Sequence, residues 1–109
     1  GVLGAEICRR DRSRGDYPLE PILSGKRLAV LSSRGAFGFR AGGVRSHMNA
    51  LDPAIAACAP YFGVETHDIQ TVAIEYQEFK DARHQWSVSM AEGKTREIAQ
   101  QLALPSIAA

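Results

Sequence analysis

Leu28, Ala29, Val30 and Leu31 form an unbroken apolar run inside the segment Lys26–Ser33. Such a run suits a strand covered on both faces, as in a parallel sheet. A second strand is predicted over 68–75, Asp-Ile-Gln-Thr-Val-Ala-Ile-Glu. Gln70 and Thr71 make it less apolar, which places it nearer a sheet edge. Residues 34–46 between them hold Gly35, Gly38, Gly42 and Gly43 and read as a long loop; long ordered loops are often functional. A helix is expected over 52–62, with Asp52 as N-cap and Pro53 at the first helical position. Leu51, Ile55, Cys58 and Phe62 make its apolar stripe. Pro60 should loosen its last turn, and Gly63 suits the residue just past its end.

A last helix is expected over about 80–103, with Trp86, Met90, Ile98 and Leu102 on one face and Ala91 and Thr95 beside them. Gly93 is tolerated there at a cost of about 1 kcal/mol relative to Ala, unless a close approach requires it. Residues 1–25, with their glycines, Arg/Asp run, Pro18 and Pro21, read as an irregular N-terminal segment. Residues 26–103 are the α/β unit and 104–109 a tail. The order is strand, loop, helix, strand, helix, the unit of a parallel α/β sheet with a right-handed crossover. Two strands alone do not make a stable sheet. The first 25 residues, another chain, or a further part of the domain must complete it.

Composition narrows the class. The chain has 109 residues, 45% hydrophobic and 23% charged. That excludes a disordered, collagen-like or disulfide-scaffold chain. No stretch reaches the roughly 18 apolar residues of a membrane span. The start carries no secretory signal, so a cytoplasmic protein is expected. The first residue is Gly1 rather than Met, as in a processed, excised or partial chain. Cys8 and Cys58 stand 50 residues apart and read as free thiols. His47, His67 and His84 are isolated, with no pattern for a structural zinc site, so no metal is expected.

Net charge is +1 but unevenly spread. Residues 1–45 hold nine Lys/Arg and four Asp/Glu; residues 46–109 hold four and eight. The cluster Arg9, Arg10, Arg12 and Arg14 reads as a solvated segment. With no aromatic platform and no strongly basic balance, nucleic acid is not an expected partner.

Ligands of open α/β sheets bind beyond the carboxyl ends of the strands. Ser32-Ser33-Arg34-Gly35-Ala36-Phe37-Gly38-Phe39 falls there. Its hydroxyls and backbone N–H groups can meet a flat ring edge or an anion, and its glycines let a backbone come close. Phe37 and Phe39 can either cover a ring face or pack under the loop. Glu75, at the end of the second strand, reads as solvated. No catalytic triad, carboxylate pair or nucleophile stands out.

The stretch Leu23–Ala36 resembles the fourth-strand segment of the FMN-dependent NADH-azoreductases, a group within the flavodoxin-like NAD(P)H quinone dehydrogenases. The family's Ser-Arg-Gly-Gly motif maps onto Ser33, Arg34, Gly35 and Ala36. His47–Pro53 and the helix end Tyr61-Phe62-Gly63-Val64 are also similar. The likeness covers about residues 19–100. It implies a flavodoxin-like three-layer parallel sheet, present here as its C-terminal β-α-β-α portion. It also implies FMN contacts at Ser33, Arg34, Gly35 and Ala36, NAD(P)H as electron donor, and a homodimer.

The implied reaction is two-electron reduction of a quinone or azo substrate. Phe39 and Arg45 occupy places where related quinone reductases carry Tyr and His. Neither can donate a proton there, but Arg45 can stabilise a developing anion. The sequence departs from the pattern at Ala36 and holds no counterpart of the family's FMN-phosphate loop. The other reading is a non-catalytic α/β interaction module whose open sheet edge pairs with another chain.

Overall fold

The computed structural model describes residues 6–104. The chain begins with a hairpin. Strand β1 (Cys8–Arg10) pairs antiparallel with β2 (Leu19–Pro21), in the register Cys8↔Pro21, Arg9↔Glu20 and Arg10↔Leu19. A 3-10 turn over Arg12–Arg14 closes it, capped by Asp11, whose carboxylate accepts from the Ser13 N–H. The segment expected to be irregular is therefore ordered from Cys8 to Pro21. These strands have three residues each and no alternating apolar pattern. Their pairing rests on backbone bonds and the exposed Arg9–Glu20 ion pair at 2.9 Å, which periodicity cannot reveal.

β3 (Lys26–Ser33) and β4 (Val64–Ile74) pair in parallel, with α1 (Leu51–Cys58) and a 3-10 turn (Ala59–Phe62) in the crossover. β3 has the predicted bounds. β4 begins earlier than 68, because Val64 already pairs with Lys26. The register then shifts between Lys26 and Leu28, leaving polar residues 65–68 in a bulge that does not read as strand. The helix predicted over 52–62 divides after Cys58, two residues before Pro60, where the last turn tightens to 3-10. Gly63 ends it in the left-handed conformation, φ 78°. A Cβ on Gly63 would collide with the Leu23 carbonyl, so two independent constraints require glycine there.

Asp52 is not the helix cap. Ala50 holds that position, and the Asn49 side-chain oxygen accepts the Asp52 N–H at 3.1 Å. That leaves the Asp52 carboxylate free to turn elsewhere. α2 (Ala82–Ala103) is capped by Asp81, whose side chain accepts from the Arg83 and His84 N–H groups. Its buried face is Ser87, Ala91 and Ile98: of the expected stripe Ile98 is buried, with Ala91 beside it, whereas Trp86 is 63% and Met90 56% exposed and Leu102 is exposed too. Ser87 and Ala91 let the helix approach β4, where Ala91 and Ile98 pack on Val72 with Ala29 and Ile74 beside them. Gly93 meets no neighbour, so no close approach explains it.

The buried apolar residues among those described are few: Ala59, Val64, Val72, Ala91 and Ile98. The Cα radius of gyration is 17.4 Å, against about 13 Å for a compact domain of roughly 100 residues. α1 faces β3 across an open apolar groove lined by Leu28, Val30, Ile55, Cys58 and Phe62. Among the described residues, the outer edge of β3 is unpaired, and no helix is long and apolar enough to cross a membrane. The architecture is a small α/β unit with a two-stranded parallel sheet. The tail expected over 104–109 lies outside the described residues from 105 onward.

Candidate functional site

Parallel pairing brings the ends of β3 and β4 together, so the residues after each strand meet. Backbone hydrogen bonds zip the two segments. The Arg34 N–H donates to Ile74 at 2.7 Å, and the N–H groups of Tyr76, Gln77 and Glu78 donate to the carbonyls of Ala36, Arg34 and Gly35 at 2.9, 3.2 and 2.9 Å. The Gly38 N–H donates to Glu75 Oε2 at 2.7 Å, and the Ser33 hydroxyl to Gln77 Oε1. Glu75 is thus half-buried and structural, not solvated, because β4 delivers its carboxylate beneath the glycine loop.

This pattern has a direction. The carbonyls of Arg34, Gly35 and Ala36 are all taken by the loop after β4. Among the described residues, no acceptor meets the N–H of Gly35 or Ala36. The turn's carbonyls are thus occupied within the chain, while the N–H groups of Gly35 and Ala36 stay unpaired among the described residues. That suits the acceptor atoms of a flat heterocycle edge, or an anion. A Cβ on Gly35 would lie 2.8 Å from the Glu78 side chain. Ala36 keeps a negative φ, so its backbone asks for no glycine and the departure from the motif is accommodated.

Arg34, Phe37, Phe39 and Arg45 engage partners within the site. The Arg34 guanidinium is 12% exposed and sits 3.2 Å from both carboxylate oxygens of Asp52, which also accepts from Asn49 Nδ2 at 2.8 Å. It lies 5.3 Å from the Phe39 ring centroid. Arg45 donates to the Phe37 carbonyl at 3.1 Å and lies 4.4 Å from that ring's centroid. Phe37 stacks on Tyr76 with centroids 4.6 Å apart. Both Phe37 and Phe39 are therefore engaged within the loop. Sequence reasoning missed Tyr76, Gln77 and Glu78. The signal was the parallel topology itself, which places whatever follows the second strand beside whatever follows the first.

Phe79 closes this aromatic group, 6.0 Å from Phe37 and 6.1 Å from Tyr76. The Arg83 guanidinium lies 4.8 Å from the Phe79 centroid and 5.0 Å from that of Tyr76. It is held by Asp81 at 2.8 Å. That hydrogen bond holds the Asp81 carboxyl below its ordinary range and raises the Arg83 guanidinium above its own. At the opposite end of the sheet, the β4 bulge gathers Glu65, His67 and Asp68. His67 stands 3.5 Å from Glu65 and 3.3 Å from Asp68. Exposed groups of this kind commonly meet without an ion.

No protein-family model matches the chain. Curated relatives do. An FMN-dependent NADH:quinone oxidoreductase 2 of Colwellia psychrerythraea is 48% identical over 92 residues, covering 84% of this chain and 41% of the relative. The chain is a partial-length homologue of the FMN-dependent NADH:quinone oxidoreductases. A second protein of that name, from Idiomarina loihiensis, is 46% identical across 86% of this chain and 38% of its own length. An FMN-dependent NADH:quinone oxidoreductase 1 of Pseudomonas fluorescens is 36% identical across 70% of this chain. The chain spans about two fifths of the length of these oxidoreductases. They fall in the group that the Ser33–Ala36 segment resembles.

The described residues fit part of a flavin of the kind such oxidoreductases use. The unpaired N–H groups of Gly35 and Ala36 are the kind of donor that the acceptor-rich rim of an isoalloxazine ring takes. The Ser32 hydroxyl is also buried without a partner among the described residues. The phosphate is a different matter. Arg9, Arg10, Arg12 and Arg14 belong to the hairpin whose Cys8 thiol donates to Tyr61, next to the start of β4. That is the far end of an eight-residue strand, roughly 25 Å from the turn.

Proposed function

We propose that this chain carries the flavin-edge segment of an FMN-dependent NAD(P)H oxidoreductase that reduces quinones or azo compounds by two-electron hydride transfer. One observation carries the reading: the carbonyls of Arg34, Gly35 and Ala36 are taken by the loop after β4, while the N–H groups of Gly35 and Ala36 have no acceptor among the described residues. A bound flavin supplies the hydride chemistry, and the protein supplies orientation and electrostatics. In this reading Ser33, Arg34, Gly35 and Ala36 hold one ring edge. Ser33 and Arg34 act by fixing the turn, through Gln77 and Asp52, while the amides make the contact. Arg45 and Phe39 border the substrate side. The Arg45 charge favours an anion developing on the acceptor.

The phosphate, and the rest of the ring's surroundings, come from outside residues 6–104. β3 indicates how. Its free edge carries Leu28–Leu31 without a charge, whereas β4 is guarded by a bulge with Glu65, His67 and Asp68. The apolar groove beside β3 and the 63%-exposed Leu31 favour a further parallel strand at that edge. A homodimer with the site near its interface, in the cytoplasm, belongs to the same proposal. The same open edge favours the second reading, an interaction module that pairs without flavin.

Titrating the purified chain with FMN, by flavin fluorescence and native mass, separates the two. Saturable micromolar binding supports the flavin site and warrants an NADH–quinone assay. No binding up to high micromolar FMN means that the chain by itself is not a flavoprotein and favours the interaction module.

A further inference from the structure

Tyr76 has φ 64°, a left-handed conformation that bulky residues rarely adopt. Glycine would take it without cost. A tyrosine there has to be held, and three sets of contacts hold it. Its N–H donates to Ala36 at 2.9 Å, and its carbonyl accepts from Phe79 and Lys80 at 3.0 and 3.4 Å. Its ring stacks on Phe37 at 4.6 Å with the planes 14° apart. Arg83 lies over the same ring, 5.0 Å from its centroid. The left-handed step also turns the chain so that Gln77 and Glu78 can reach the carbonyls of Arg34 and Gly35.

We propose that Tyr76 is a positioning residue whose ring, clamped on Phe37, holds the Ser33–Ala36 turn in the form that leaves the Gly35 and Ala36 amides unpaired. What that turn binds rests on the flavin reading above; the clamp itself does not. The ring, and not the hydroxyl, performs the role. Phe37 follows the turn directly, so fixing its ring fixes the orientation of the Gly35 and Ala36 amides. Loss of the ring leaves the turn's hydrogen bonds in place but free to open locally.

The test uses the 109-residue chain with Tyr76→Phe, Tyr76→Leu and Tyr76→Gly. Backbone amide exchange is read at Gly38, Gln77 and Glu78 and, for comparison, along the β3–β4 ladder. Tyr76→Leu should speed exchange at the three loop amides about tenfold, the scale of a lost aromatic pair. The ladder should stay unchanged. Tyr76→Phe should match the parent chain. Tyr76→Gly should also open the loop, although it removes the backbone penalty.

A closed loop in Tyr76→Gly would show that the left-handed step alone suffices, and would overturn the clamp. Equal acceleration of loop and ladder would overturn it too, reducing Tyr76 to general stability. FMN titration of the same variants reads the function separately: Tyr76→Leu should weaken FMN about tenfold, and Tyr76→Phe should restore it. A parent chain that binds no FMN while the exchange pattern holds would overturn the flavin reading and leave the clamp standing.

Discussion

The carboxyl end of the β3–β4 sheet and the faces of the same sheet are built in opposite ways. At the carboxyl end, polar groups interlock: Arg34 with Asp52, Ser33 with Gln77, Glu75 with Gly38, and three loop amides with three turn carbonyls. On the faces, little is closed. Leu31, Phe62, Trp86 and Met90 are between 48% and 63% exposed. The end is preorganised by contacts this chain makes with itself, whereas beyond the α2–β4 contact the described residues leave much of the faces without apolar cover. A binding edge can thus be specified locally even where the surrounding core is not, because hydrogen-bonded turns depend on short-range geometry and apolar burial depends on whole layers.

Substitutions can break this contrast, and the largest effect falls at neither region but at the amino end of the sheet. Gly63→Ala adds a Cβ against the Leu23 carbonyl at a left-handed position. It should cost about 3 kcal/mol or more in chemical denaturation. Ile98→Ala removes the best-buried large side chain on the α2 face. It should cost about 2–3 kcal/mol, at the low end for its type because few layers surround it. Smaller still, Asp52→Ala leaves the Arg34 guanidinium without its carboxylate. A fully buried pair would cost 3–5 kcal/mol on losing one partner. With Asp52 one third exposed, about 1–2 kcal/mol is expected, together with faster exchange at the turn.

Trp86→Ala should move the denaturation midpoint by less than about 0.5 kcal/mol, since the ring is mostly exposed. A large loss there would mean that the α2 face is covered in solution. The smallest effect is acidic. The Asp81 carboxyl is held below its ordinary value of 3.8, chiefly by its hydrogen bond with Arg83. Its contribution is present above that value and fades as pH falls through the depressed one. Amide exchange at Arg83 and His84 should rise across that window, and Asp81→Asn should remove the pH dependence.

Local signals in the sequence read well. The apolar run gave β3 its bounds, Gly63 ended the crossover turn, and Asp81 to Ala103 matched a helix expected over about 80–103. The turn Ser33–Ala36 stood out by its place after a buried strand and by its family likeness. What failed depends on partners distant in sequence. The β1–β2 hairpin pairs residues that show no apolar period. Asp52 reads as a cap from its neighbours but is drawn to Arg34, 18 residues away. Trp86 and Met90 look like core by hydrophobicity, yet Ser87, Ala91 and Ile98 take the face that meets β4. Tyr76 had no readable signal, since nothing local marks a left-handed tyrosine held by a ring 39 residues earlier.

The central claim is that the Gly35 and Ala36 amides form a donor edge for a flavin ring. Following the backbone amide resonances of the 109-residue chain during FMN titration tests it most directly. The account predicts saturable shifts largest at Gly35 and Ala36, smaller ones at Ser33 and Phe37, and none along the Arg9–Arg14 hairpin. Saturable shifts centred on that hairpin, with Gly35 and Ala36 unmoved, would contradict it.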